Sequence, residues 1–279
     1  MQRMTLKDMH DFCLMIAKDV HQFCVENEIK YSLGYGSLLG AIRHKGYIPW
    51  DDDIDILMPR PDYDRFCELY SSKHFKLTTP NNSYIAYSRV YDNEKTYCRT
   101  LGKWLKHEHE GAFIDIFPLD AVSEDYDSFI TQRDKAKHLL KMQLDNRGAK
   151  KNIMDLFKIL PFKEALKSLK VTLHNRYHYE GETDIDHINR QYRDLMTMNK
   201  WEDSKYCALL AYINNYSCKQ LPVSIWNNLV PVDFEDTKLF VFKESDIVLT
   251  SLYGADYMQI PPKEKQEQHA LSISIFYFK

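Results

Sequence analysis

Gly34-Tyr35-Gly36-Ser37-Leu38-Leu39-Gly40 and, shortly after it, Trp50-Asp51-Asp52-Asp53-Ile54-Asp55-Ile56 decide how this chain is read. The first stretch is a small-residue turn. The second is a dense carboxylate run at the mouth of an apolar strand, Ile54 to Met58. So many aspartates carry too much charge for a core, yet the apolar residues tie them to one. A strand sends alternate side chains to one face, so Asp53 and Asp55 project together while Ile54 and Ile56 turn inward. Asp51 joins them if the strand begins early.

Two carboxylates so placed can share or bridge a divalent cation. Mg²⁺, with Mn²⁺ as a substitute, takes hard oxygen ligands and keeps waters or phosphate oxygens of a substrate. One or two ions fit such a site. The expected third ligand is Asp115, the acid within the apolar run Ala112 to Phe117; Asp120, beyond Pro118, reads as a loop residue. A solvated turn is the other reading of Asp51 to Asp53. It suits Asp55 and Asp115 less well, because a carboxylate among apolar residues is costly unless paired. The spacing also begins a calcium-binding EF loop, but Ile56 stands where that loop needs Gly and Asp62 where it needs Glu.

The turn at Gly34 supplies a complementary element. Backbone N–H groups of Gly36 and Ser37 at a helix start can hold a phosphate, and Ser37 adds a hydroxyl. An ordinary tight turn is the alternative, since the Lys of a P-loop and the third Gly of a dinucleotide fingerprint are both missing.

Outward from this centre, Leu6, Met9, Phe12, Cys13, Ile16, Val20, Phe23 and Cys24 recur at helical steps, predicting a helix over 5–29 with a Thr5–Asp8 capping box. Lys30–Leu33 reads as a strand, Ser37–Ile42 as a helix closed by Arg43 to Gly46, Asp53–Met58 as a strand and Asp62–Tyr70 as a helix. Tyr84–Val90 and Thr96–Arg99 alternate like a hairpin around Asp92-Asn93. Ala112–Phe117 is a strand ended by Pro118. From Ser128 to Glu180 the chain turns helical and basic. That segment is either a subdomain with a solvated basic face or a surface for anionic acceptors or lipid headgroups. Lys238–Lys243 reads as a strand, Ser245–Tyr253 as a helix stopped by Gly254, and Leu271–Phe278 as an edge strand. The pattern is α+β: a mixed sheet flanked by helices with a helical insertion. Its expected parts are a catalytic core at 1–127, a basic helical subdomain at 128–203 and a C-terminal segment at 204–279 that packs back on the core.

With 279 residues, 44% of them apolar, the chain can bury a sizeable core, and a net charge of −3 gives it no global affinity for nucleic acid. Its scattered cysteines read as free thiols of a reducing compartment. No signal-peptide core or run of membrane-spanning length occurs, so a cytoplasmic protein is expected, with 128–180 as a contact for the inner membrane face.

Gly-Ser, helix, then Asp-x-Asp on the next strand resembles the layout of nucleotidyltransferase-fold enzymes. The run from Gly36 through Trp50-Asp51-Asp52-Asp53-Ile54-Asp55-Ile56 to Met58-Pro59-Arg60 resembles the LicD family of phosphotransferases. So do Phe113 to Asp120 and Leu252 to Met258 with Pro261-Pro262. Members resemble phosphocholine transferases that use CDP-choline to decorate cell-surface glycans. The fukutin-related ribitol-phosphate transferases share the core. The resemblance implies a Mg²⁺-dependent transferase that releases CMP, with a glycan or its lipid-linked precursor as acceptor. It implies Asp53 and Asp55 as the metal pair and Asp115 as the acid of the third strand. The chain departs from the family at Tyr212 to Tyr216, where a Gly-rich turn is common, and at Asp236, where a Gly commonly follows the Phe-Glu pair.

Arg43, Lys45 and Arg89 are candidates to neutralise phosphate, with a surface position as the alternative. Trp50, Trp104 and Tyr87 are candidates to stack on cytosine or cover a quaternary ammonium, with packing as the alternative. His269, after the Pro-Pro block, is expected to close over the site. His107 and His109, without cysteine support, do not make a zinc site. Three other functions remain open on the sequence: the same fold with CDP-ribitol, CDP-glycerol or another nucleotide donor; a DxD-type glycosyltransferase using a nucleotide sugar; and a binding module with a degenerate site.

Overall fold

A helix capped at Thr5 opens the chain. The Thr5 hydroxyl accepts the Asp8 N–H while the Asp8 carboxylate accepts the Thr5 N–H, a reciprocal cap that stabilises a helix by about 1 kcal/mol. In this computed structural model, residues 2–80, 86–100, 111–149, 185–211, 219–266 and 274–279 are described. The elements in chain order are α1 (Leu6–Glu26), β1 (Ser32–Leu33), α2 (Tyr35–His44), β2 (Asp55–Pro59), α3 (Arg60–Leu69), β3 (Phe75–Thr78), β4 (Ser88–Asp92), β5 (Thr96–Thr100) and β6 (Phe113–Val122). Then follow α4 (Tyr126–Ala149), α5 (Ile185–Met196), β7 (Tyr206–Ala208), β8 (Leu221–Pro222), β9 (Leu229–Phe234), β10 (Thr237–Phe242), α6 (Ser245–Tyr253) and β11 (Ser274–Phe278).

The main sheet runs β1-β2-β6-β4-β3, with β7 and then β8 continuing it beside the second half of β6. β2 and β6 are parallel; the other pairs are antiparallel. It is a mixed sheet in an α+β fold. α1 lays Met9, Cys13, Ile16, Ala17, Val20 and Cys24 against β6 and β4, the one buried stripe that steps of three and four dictate. α4 and α5 pack on each other, and the Gln132 side chain donates to the Leu195 carbonyl at 2.9 Å. Residues 150–180 of the basic segment lie outside the described residues. No helix among those described is long and apolar enough to cross a membrane, and no disulfide joins the described cysteines.

Two expectations need correction. β4 and β5 do not form a hairpin around Asp92-Asn93. Asp92 does turn the chain there, its carboxylate accepting the N–H groups of Lys95 and Thr96. But β4 already has β3 on one edge and β6 on the other, so β5 pairs with β11 instead. Nor does Pro118 end the third strand, because β6 continues to Val122. The Asp115 N–H faces β2, bonding the Ile54 carbonyl at 3.0 Å, so by alternation position 118 faces the other edge. On that edge β4 stops opposite Ile116, and β6 pairs with β7 only from Asp120 onward. The missing N–H of Pro118 falls in the gap and costs no bond.

The β9–β10 ribbon turns at Glu235, whose φ of 53° is left-handed. That turn docks on the loop after α2. The Glu235 N–H donates to the Lys45 carbonyl at 2.8 Å, and the Glu235 carboxylate accepts the Tyr47 N–H at 3.0 Å. α2 must also lie close to this loop: a Cβ on Gly40 would meet the Gly46 carbonyl oxygen at 2.4 Å. Because the obstructing atom is backbone, Gly40→Ala is expected to destabilise the protein by about 1–3 kcal/mol. A thermal or urea melt checks this, and an unchanged midpoint would count against the close approach.

Candidate active site

The acids converge where β2 and β6 begin. Parallel register sets Asp55 directly beside Asp115. Neighbouring strands lie roughly 4.8 Å apart, so the two side chains share one face at close range. β2 starts at Asp55, two residues later than expected, yet the alternation holds: Ile54 and Ile56 are fully buried, and Asp53 and Asp55 are partly exposed. Carboxylate oxygens of Asp51, Asp52 and Asp53 come within 4.8 Å of one another. Asp51, Asp52 and Asp115 are buried, so Asp53 and Asp55 are the solvent-side members.

This crowding shows in the protonation of the two outer acids. Desolvation, then the charges of Asp55, Asp51, Asp52 and Asp115, push Asp53 well above the usual carboxylate range. Desolvation, then Asp115 and Asp51, do the same to Asp55 against the opposing pull of Arg89. The Cys13 thiol, bonded to the Phe113 carbonyl beneath the site, is pushed up by its burial and then by Asp53, Asp52 and Asp115. Such a set of hard oxygen donors, too close to ionise together, fits a divalent cation.

The scaffold around the acids is specific. Ser37 is buried in the first turn of α2, and its Oγ accepts the Asp55 N–H at 2.9 Å. The Gly34 N–H bonds the Asp55 carbonyl at 2.9 Å. A Cβ on Gly36 would lie 2.3 Å from Asp51 Oδ2, so the Asp51 carboxylate packs against the helix start where a phosphate was expected. Tyr35, between these glycines, adopts φ 45°, a left-handed conformation that costs a non-glycine residue about 1–3 kcal/mol.

Sequence reasoning missed the groups that hold the Asp51 loop. His10 Nε2–H donates to the Asp51 carbonyl at 2.6 Å, and the His10 ring stacks on Tyr47 at 3.9 Å. The Tyr47 hydroxyl donates to the His10 carbonyl at 2.8 Å. Glu235 then fixes Tyr47 through its backbone. A lone histidine on α1 carried no signal for this role; only the packing of α1 beside the loop reveals it.

The other expected site residues fall in several places. Arg89 lies in the cluster, pairing with Asp115 through Nε–Oδ1 at 2.7 Å. Arg43 and Lys45 sit at the far end of α2 from Gly36, roughly two turns away. Arg43 donates to the carbonyls of Tyr257 and Gln259, fastening the segment after α6 to α2. Lys45 is exposed and supplies the left-handed cap. Arg43 Nε also donates to His44 Nε2, which makes His44 a neutral acceptor; desolvation and then Arg43 lower its pKa. Trp50 is half-buried with His44 against its edge, and buried Tyr87 packs on Phe117. Trp104, His107, His109 and His269 lie outside the described residues. Asp120 is a further correction: it is a fully buried strand residue, bound by Arg60 Nε at 2.6 Å, and not part of a loop. It ties α3 to β6 at the opposite end of β2 from the acid cluster.

Residues 28–147 match the family described as LicD/FKTN/FKRP, nucleotidyltransferase domain. The chain therefore carries a LicD-family domain. It is also 28% identical to the lipopolysaccharide cholinephosphotransferase LicD of Haemophilus influenzae, over 96% of this chain and 97% of that protein. Uncharacterised proteins of Rickettsia prowazekii and Rickettsia typhi are each 33% identical to it over about a third of the chain, 32% and 33% respectively.

The raised acids make a pH prediction. Folded, metal-free protein binds protons at Asp53 and Asp55 more tightly than the unfolded chain, whose carboxylates titrate near the ordinary 3.8. The stability they contribute is present at that low pH and is lost as pH rises through their raised values. Melting temperature in chelator is expected to fall across this interval, less so with Mg²⁺ present. The Asp53→Asn/Asp55→Asn variant should lack that component; an identical slope in the variant would show that other groups cause it.

Proposed function

We propose that this protein is a Mg²⁺-dependent transferase that moves phosphocholine from CDP-choline to a hydroxyl of a cell-surface glycan or its lipid-linked precursor, releasing CMP. The observation that carries this is the cluster of Asp51, Asp52 and Asp53 beside the register-paired Asp55 and Asp115, held by a built scaffold, in a chain that aligns almost end to end with a lipopolysaccharide cholinephosphotransferase. The core is read as nucleotidyltransferase-like, in keeping with the matched family's description.

On this reading, Asp53, Asp55 and Asp115 hold the ion or ions, with Asp51 beside them. When bound, the metal supplies neutralisation of the diphosphate and acidification of the attacking hydroxyl. The protein's own part is placement. Ser37 and Gly34 clamp the backbone of Asp55, and His10 with Glu235 and Tyr47 fixes the Asp51 loop. Rigid donors cost little reorganisation as charge develops on the phosphoryl oxygens. The N-terminal turn of α2, at Gly36, presents the positive end of a helix to the Asp51 carboxylate packed against it and so helps to hold the acid loop. Asp53 and Asp55, as the solvent-side acids, meet the substrates first.

Purified protein with Mg²⁺, CDP-choline and a glycan acceptor is expected to release CMP. Asp55→Ala should lower turnover by roughly a hundredfold or more while the protein stays folded. Retained turnover in that variant would sink the metal assignment. Thermal stabilisation with Mg²⁺ and CDP-choline, CDP-ribitol, CDP-glycerol or a nucleotide sugar identifies the donor, and stabilisation by a nucleotide sugar alone would overturn the phosphocholine reading.

A further inference from the structure

Asp115 sits in the middle of a row of three residues drawn from three strands. On one side β2 sets Asp55 beside it, and on the other β4 sets Arg89 directly opposite it. Paired residues on adjacent strands project from the same face, so the three side chains stand in line. Arg89 approaches Asp115 side-on, with Nε–Oδ1 at 2.7 Å and Nη2–Oδ2 at 3.4 Å. Its guanidinium lies over the Phe113 ring, 3.6 Å from the centroid, and the residue is buried. The first contact is a strong charge-assisted bond, while the second is at the outer limit of bonding distance. Oδ2 is therefore the oxygen Arg89 holds weakly.

We propose that Arg89 is the resident counter-cation of the acid cluster. It holds Asp115 while the divalent ion is away and yields Oδ2 when the acid cluster takes its ion. Metal binding and the Arg89–Asp115 pair then oppose each other, and Arg89 sets how tightly the site takes its metal. Electrostatics supply the reason. With no cation, Asp55 and Asp115 at strand spacing repel strongly, and Arg89 relieves Asp115 of that burden. An arriving divalent ion does the same for both acids at once. This inference rests on reading the cluster as a metal site, and it makes Arg89 a positioning residue that acts through Asp115.

The test is Mn²⁺ titration of the full, metal-stripped chain by electron paramagnetic resonance, which does not depend on turnover. Arg89→Met, of similar length and still able to cover Phe113, is expected to bind Mn²⁺ about tenfold more tightly than wild type, the scale of one charged hydrogen bond. Arg89→Lys keeps the charge and should stay within a fewfold of wild type. In the Asp115→Asn background the gain from Arg89→Met should vanish. A gain that persists there would be a general field effect and would overturn the proposal, as would Arg89→Met binding no tighter. Should Arg89→Met fail to fold, the wild-type protein still decides. The Arg89 Nη2–H protons, which face Oδ2 and are assigned by their loss in Arg89→Lys, should exchange faster with solvent at saturating Mg²⁺, and unchanged exchange would overturn the proposal. Wild-type protein that binds no Mn²⁺ overturns the metal-site reading itself, a failure distinct from one in which wild type binds and Arg89→Met gains nothing.

Discussion

Like charges on neighbouring strands repel, and much of this structure is arranged to keep them together. The register of β2 on β6 puts Asp55 beside Asp115, and the loop before β2 brings Asp51, Asp52 and Asp53 to the same place. Hydrophobic burial supplies the force that holds them. Ile56 in β2, Ile54 just before it, and Ile114 and Ile116 in β6 are fully buried, so the strands cannot slip or separate to ease the repulsion without exposing their core faces. What remains of the strain appears as the raised proton affinity of Asp53 and Asp55.

The opposite end of the same strand pair offers a contrast. Asp120 is more deeply buried than Asp115, but Arg60 meets it at 2.6 Å and no second acid stands in register beside it. Desolvation pushes Asp120 up, and Arg60 pulls it back. That end joins α3 to the sheet, whereas the first end gathers several acids side by side. Two buried aspartates on one strand thus have different work because of what the adjoining elements bring to each.

Distant segments converge on the acid loop. His10 comes from α1, Ser37 from α2 and Glu235 from the β9–β10 turn, and each contact involves the backbone of residues 47–55 or their immediate neighbours. Backbone contacts fix where a loop lies without using up its carboxylates.

Local pattern was legible wherever one residue's burial or one cap decides conformation. The α1 stripe, the Thr5–Asp8 cap, the turn into α2 and the halt of α6 at Gly254 all follow from neighbouring residues alone. The acids were legible as well, because charge set within apolar strands is chemically costly and therefore conspicuous. Strand partners were not. Period-two alternation records which face of a strand is buried and says nothing of which strand lies alongside, so β4 and β5 looked like a hairpin and Pro118 looked like a strand end. Arg89, His10 and Glu235 took their roles only in three dimensions, because each acts on the acid site through pairing or packing across long chain separations. By itself the sequence determined that a carboxylate cluster would sit at the edge of an apolar strand. The tertiary structure decided which acids stand side by side and which cation meets them, since that depends on register, a property shared by the whole sheet.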